Sequence, residues 1–447
     1  MPSNGLIYTP PHACACYPEA KLSGFGALSG AREREPDLEA AAAENRLELG
    51  PAYGADIIDD AGYEEWPTYR HDARRSAYTS SSVPSQVLPQ WEIKLGGKLS
   101  SPVVAGNRVY AAQVEAHTVY AVDAITGHVL WRYIAGGRVD SPPTIYKGRV
   151  LFGSADGYVY CLRAADGALI WRFRAAPMDR RMTAYEQVES VWPVHGSVLV
   201  QDDRVYCAAG RSAFLDGGLR LLQLDPVSGE KFSEKILDEI DPETGENLHA
   251  FVDRLNMPVG LPDVLSSDGQ YVYMRSQQFD LDMNRTKLKV TDHDVWNQTG
   301  PGAHVFSPIG FLDDSQFSRS YMMYGKNVNG GWGGWEKMGW LTPSGRLIAV
   351  DGQNVYGYCR KPEFLSESLV LEYQLYSAAK SSSYSAINTV RKAYGNTMSA
   401  GMDPSFMNYA GDWKLRQGIP AREQSALTYR WRVDKPSMQV RAMALAD

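Results

Sequence analysis

Apolar residues in this chain alternate with polar or small ones in short runs and do not follow the three-and-four spacing of a buried helix face. In "HTVYAVDA", Val119, Ala121 and Asp123 fall on one side of an extended backbone and Tyr120, Val122 and Ala124 on the other. The runs "GRVLFGS" and "GYVYCLR" are equally short and rich in β-branched and aromatic residues. Gly, Asn or Asp punctuates each of them, which predicts short antiparallel strands joined by tight turns.

These strands come in units. Trp91, Trp131 and Trp171 are separated by two intervals of 40 residues, and the same order follows each: a Trp strand, a Ser-Pro strand and a turn at Asn107 or Gly148, then a Val/Tyr strand, a glycine turn and another strand. An Asp-x-x-x-Gly-like turn then returns to the next Trp. Four short strands in a fixed period predict an all-β fold, a β-propeller of four-stranded blades. The indole has a mechanical role in such an array, because a large flat side chain on an outer strand can lie between blades. The sequence order suggests that the preceding turn caps it, Gly127 for Trp131 and Gly167 for Trp171. Further along, "GQYVYMRS" and "GQNVYGYC" repeat the second strand, "SPIGFLDDSQF" the Ser-Pro strand, and "DPVSGEKF" and "DPETGENL" the turn. The polar segments 277–304 and 380–425 read as loops on the faces of the disc.

The opening "NGLIYTPPHACACYPEAKLSGFGALSG" has the grammar of a second strand, a turn and a third strand, so residues 1–30 are expected to form a partial blade lacking its first strand. Residues 31–65 are a helical insert and linker, with one short helix between about 36 and 48, ahead of "WPTYRHDARRSAYTS", where Asp72 and Arg75 could pair. Residues 66–447 carry the remaining blades. The last is cut short, because "YRWRVDKPSMQVRAMALAD" supplies only a Trp strand and a Ser-Pro-type strand. This pattern favours a fragment of a longer propeller over a ring closed by its own ends.

A chain of 447 residues exceeds one ordinary core, which a repeat architecture accommodates by adding units. The formal net charge of −7, with basic residues scattered, gives no stripe for a phosphate backbone, so nucleic acid is not expected as a partner. No apolar run is long enough to span a membrane, and no signal-peptide plan opens the chain. Of five cysteines, Cys161, Cys207 and Cys359 lie in strand-like runs and are expected to be buried and unreactive.

Four groups of residues could carry chemistry. His12, Cys14 and Cys16 alternate, so a strand would put three soft ligands for zinc or copper on one side; a disulfide or plain thiols are the alternatives. Trp332 and Trp335, with Trp340, stand among glycines in "NVNGGWGGWEKMGW" and could floor a quinone or sugar ring, or serve as blade-packing aromatics. His195, Arg211 and Asp216 lie in segments expected to face the central channel, where they could hold an anionic group or move a proton, or form structural ion pairs at a blade turn. "DLDMN" alternates oxygen donors, but Arg285 stands where a calcium loop needs its turn glycine.

The repeat "AVDAITGHVLW" with "SADGYVYCLRAADGALIW" resembles the tryptophan-docking repeats of the pyrroloquinoline quinone (PQQ)-type β-propeller superfamily, and "W…RHDARRS" resembles the leader that precedes them. The likeness is strongest over 86–232. It implies an eight-bladed disc, of which five or six blades are visible, and a periplasmic or secreted location. It also implies one of two functions. Quinoprotein dehydrogenases of alcohols or sugars hold PQQ on a Trp floor with a calcium ion, an Asp base and a ring formed by adjacent cysteines. Assembly-factor propellers keep the blades and bind a protein partner or small ligand without that chemistry. This chain has no adjacent cysteine pair and no C-x-x-C-H haem signature. The expectation is therefore a non-catalytic binding scaffold.

Overall fold

The computed structural model describes residues 2–9, 26–30, 37–58, 65–242, 244–248, 260–275, 277–286, 298–312, 321–326, 342–361, 372–381 and 426–447. The fold is an all-β propeller whose sheets follow one another along the sequence. Sheet I comprises Val103–Ala105, Arg108–Gln113, Thr118–Asp123 and Val129–Ile134; sheet II comprises Thr144–Tyr146, Arg149–Gly153, Tyr158–Arg163 and Leu169–Arg174. Sheet III comprises Leu199–Gln201, Arg204–Ala209, Leu219–Leu224 and Lys231–Leu237. Sheet IV (Ser266–Ser267, Val272–Met274, Gln277–Phe279) and sheet V (His304–Phe306, Met322–Gly325, Ser344–Gly345) have three strands among the described residues. Sheet VI returns to four, with Leu347–Val350, Asn354–Arg360, Tyr373–Ala379 and Tyr429–Asp434. Each is a simple antiparallel meander.

Period-two alternation explains how the sheets stack. In sheet II, Phe152, Tyr160 and Leu162 face the core shared with Val103, Tyr110 and Trp131 of sheet I. The intervening Leu151, Cys161 and Trp171 face the core shared with Val205, Cys207 and Leu222 of sheet III. Both faces are buried, so the strands read as nearly continuous apolar runs. Further cores join III to IV around Leu219, Leu221, Val272 and Phe279, and V to VI around Phe306, Met323, Cys359 and Tyr376. The first strands of II, III and IV touch in succession, which places first strands innermost, around a shared axis.

The tryptophans work one repeat out of step with the sequence reading. A Cβ on Gly127 would come 2.7 Å from the Trp91 indole, one on Gly167 2.6 Å from Trp131, and one on Gly229 2.6 Å from Trp171. Each glycine therefore covers the indole of the preceding unit, not the Trp that follows it in sequence. The turns that carry these glycines share one geometry: the Gly N–H donates to the carbonyl of Asp123, Arg163 or Asp225. Asp241 and Gly245 of "DPETG" close the same turn.

Other expectations are corrected in detail. Residues 2–29 supply three antiparallel strands, Pro2–Ser3, Leu6–Thr9 and Gly26–Ser29, so a first strand is present there. The inserted helix is only Leu38–Ala43, capped by the Asp37 side chain. Leu47–Leu49, at the end of the stretch expected to be helical up to about 48, is a strand that pairs with the outer edge of sheet II. Next to it, Arg46 bonds Glu234 of sheet III and the Ala175 carbonyl beyond sheet II, tying the two sheets together. Ser307–Gly310 of the "SPIG" segment closes a turn, not a strand. After the Tyr429–Asp434 strand, the tail adds only Leu445–Ala446, which pairs in parallel with Tyr78–Thr79 of the leader as a two-stranded sheet. Within the segment 277–304 expected to be loop, Gln277–Phe279 is a strand. Cys161, Cys207 and Cys359 are buried, as expected; burial pushes the Cys161 thiol up and that of Cys207 up to about 12, so neither is a ready nucleophile.

Candidate functional site

The segments leading into the inner strands gather the polar residues. Asp140, four residues ahead of the "TIY" strand of sheet II, accepts from His195 Nδ1 at 2.6 Å and from the Gly196 N–H at 2.9 Å. His195 precedes the inner strand of sheet III, and the Pro262 carbonyl ahead of sheet IV favours its charged form. The imidazole thus ties the entry of sheet III to that of sheet II. Burial opposes the Asp140 charge, but His195, the Gly196 N–H and the Ser141 hydroxyl outweigh it and hold the carboxyl at about 2. Burial likewise opposes a charge on His195, yet Asp140, and more weakly Asp263, raise its pKa above that of ordinary imidazole. Burial raises the Asp263 carboxyl in turn.

The Asp140 contribution to stability is present above its unfolded pKa and is lost as pH falls toward its depressed folded value. The His195 contribution is complete below its unfolded pKa of roughly 6.5 and is lost as pH rises through the raised folded value. The tie is therefore strongest between roughly pH 4 and 6.5. His195→Asn is expected to abolish the loss of stability that the native chain shows above that window, a change on the order of 1 kcal/mol because the ring keeps some solvent contact. Thermal unfolding across the pH range checks this; parallel curves for the two proteins would refute it.

Arg211 and Asp216 lie together in the loop after Ala209, but neither meets His195. Arg211 Nη2 donates to Glu189 at 2.7 Å and to the Ser190 carbonyl at 3.1 Å, and Arg138 Nε reaches the other Glu189 oxygen at 2.5 Å. Asp216 pairs with Arg180 at 3.2 Å, and its carbonyl accepts from the buried Trp192 indole. Glu189 ends a hairpin, Arg181–Ala184 with Gln187–Ser190, whose tip lies across the sheet I turn through Gln187, His117 and Glu115. Arg138 stacks on Tyr185 of that tip, 3.9 Å from the ring centroid. His195, Arg211 and Asp216 are thus held in three separate ion pairs, with Asp140, Glu189 and Arg180.

Sequence reasoning missed Asp140, Arg138, Arg180 and Glu189. A signal existed for one of them: in the aligned repeats "KLSSP" and "RVDSP", Asp140 replaces Ser100. Asp72 bonds the Ser76 N–H and hydroxyl, while Arg75 turns away to the Leu265 carbonyl, Thr68 and the Tyr69 carbonyl, so the Asp72–Arg75 pairing is not formed. His12, Cys14, Cys16, Trp332 and Trp335 lie outside the described residues. Among the described residues no group of three His, Cys, Asp or Glu side chains could hold a metal ion. The donors a quinone and calcium would need there are spent on internal pairs. These residues do not fit such a site.

Residues 85–231 match the family model described as outer membrane protein assembly factor BamB. The BamB of Moranella endobia is 40% identical over 75 residues, covering 17% of this chain and 19% of the relative. That of Burkholderia pseudomallei is 26% identical over 196 residues, covering 43% and 45%. The chain thus spans less than half the length of these curated relatives. Among solved structures, quinohemoprotein alcohol dehydrogenase from Comamonas testosteroni aligns with a TM-score of 0.42 and 16% identity over 78% of this chain and 63% of that one. BamB from Moraxella catarrhalis aligns with a TM-score of 0.28 and 14% identity over 57% and 67%. Successive antiparallel sheets around one axis, an indole–glycine contact made three times and the match over residues 85–231 identify the chain as a β-propeller with PQQ-like repeats.

Proposed function

We propose that this chain is a non-catalytic, protein-binding propeller that serves outer-membrane protein assembly in the periplasm. The observation that carries the reading is the assembly-factor match over residues 85–231, the stretch that builds sheets I and II and the first three strands of sheet III. A surface suited to a protein partner supports it. Val87 and Leu88 are 72% and 90% exposed, and Gln90 and Trp91 fasten their segment to the turn bearing the exposed Ile125. Leu130 and Ile134, four residues apart on the neighbouring edge strand, add exposed apolar area on the face away from Trp131. Apolar groups of this size at one edge of a folded sheet are characteristic of contact surfaces.

Secreted into a bacterium lacking its own assembly factor, the chain is expected to restore outer-membrane protein levels. The Leu88→Asp, Ile125→Asp double variant should fold and fail to do so. In parallel, purified protein given PQQ and Ca²⁺ is expected to show no alcohol- or sugar-dependent dye reduction. Substrate-linked turnover in that assay would replace the scaffold reading with the dehydrogenase one.

A further inference from the structure

The inner strand of a propeller sheet has one free edge, a row of backbone donors and acceptors facing the axis. In this protein the leader occupies those edges. Trp66 exchanges two backbone hydrogen bonds with Val104 of sheet I, at 2.9 and 2.8 Å. Ile145 of sheet II donates to the Pro67 carbonyl at 2.7 Å, Ser267 of sheet IV to Ala73 at 2.8 Å, and Val350 of sheet VI to Ser76 at 2.8 Å. Sheet III is reached through hydroxyls: Thr68 meets Thr144, which donates to the Val198 carbonyl. Tyr69 packs edge-on against Phe311, beyond the first strand of sheet V.

Two arginines complete the contacts as backbone clamps, not as ion pairs. Arg75 is fully buried and donates to the Leu265 carbonyl, while Arg70 Nη2 donates to the Ile348 carbonyl. The segment is no regular strand. Arg70, His71, Arg75 and Ala77 all hold left-handed backbone angles, with φ of 58°, 81°, 57° and 55°. A side-chain-bearing residue keeps such angles only where its surroundings impose them. This is the conformation of a peptide held by a site.

We propose that the axis of this propeller is a binding site for a turn-rich, arginine-bearing peptide, and that residues 66–79 are its resident ligand, bound in cis. Backbone carbonyls of the peptide receive the inner-strand amides, and guanidinium groups reach the carbonyls of neighbouring sheets. An acidic or purely apolar segment would leave those carbonyls without donors. The role is separate from any docking at the outer edge of sheet I.

The exposed stretches at Gly54–Asp56 and Ser82–Leu88 allow the test to be made on the folded full-length chain. Protease sites placed in both are cut after folding, and the product is followed by native mass spectrometry and amide hydrogen exchange. The freed fragment carrying residues 66–79 is expected to stay bound, to keep the Val104, Ile145, Ser267 and Val350 amides protected, and to exchange with an isotope-labelled synthetic peptide of the same sequence. Arg75→Met should release it at least tenfold faster on dilution, whereas the exposed Arg74→Met should not. Departure of the fragment from a remainder that keeps those amides protected would overturn the proposal. So would joint unfolding of all fragments on cutting, or release unaffected by Arg75→Met.

Discussion

Gly229→Ala is expected to destabilise the protein by about 3 kcal/mol, and Gly245→Ala by about 1. The two glycines occupy the same position of the same turn, with φ of 77° and 70°, and each N–H closes back on the Asp four residues earlier. Both alanines therefore pay the same left-handed backbone cost, roughly 1–2 kcal/mol. They differ in what the new methyl meets. At Gly245 nothing lies within 4 Å, whereas at Gly229 the Cβ falls 2.6 Å from Trp171 and 2.8 Å from Leu47. Trp171 is fully buried between sheets II and III, so it cannot yield without opening their shared core. Overpacking of that kind adds roughly 1–3 kcal/mol. Chemical denaturation followed by tryptophan fluorescence gives the comparison directly. Equal losses for the two variants would mean that the indole gives way and that the glycine contact does not join the sheets.

The same contact shows where the sequence was informative. A 40-residue spacing of tryptophans, with alternating strands between, was sufficient for the fold class, because both signals are local and repeat. The partner of each indole was not legible, because stacking between sheets runs sideways through space: Gly127 precedes Trp131 in the chain but covers Trp91. The insert was misjudged for a related reason. "AAAAENRLELG" has helical composition throughout, yet Leu47–Leu49 found a free edge on sheet II, and pairing there outweighed propensity. The polar residues were the least legible. His195, Arg211 and Asp216 were singled out as types able to do chemistry, but their partners Asp140, Glu189 and Arg180 come from other turns, and only the fold brings them within bonding distance. The leader is the opposite case, since "RHDARRS" was recognisable as a pattern while nothing in it signalled that Arg75 would be wholly buried.

Glu189→Gln is expected to cost about 3–5 kcal/mol. The Glu189 side chain is 1% exposed and lies between Arg138 and Arg211, themselves only 11% and 17% exposed. The amide keeps the size and shape of the carboxylate but removes the one negative charge that both guanidinium groups share. Each is then left poorly solvated without its counterion, and one amide face presents N–H groups to donors. Loss should begin at the hairpin that ends in Glu189, so hydrogen exchange at residues 181–190 is expected to rise before global unfolding. Removing all three charges together distinguishes this account from a simple packing defect. The triple variant Glu189→Leu, Arg138→Met, Arg211→Met leaves no unpaired ion, and buried ionic triads replaced by apolar residues commonly match or exceed the original stability. A triple variant near the native midpoint beside a strongly weakened Glu189→Gln would locate the cost in orphaned charge; two equally weakened proteins would instead assign it to the shape of the site.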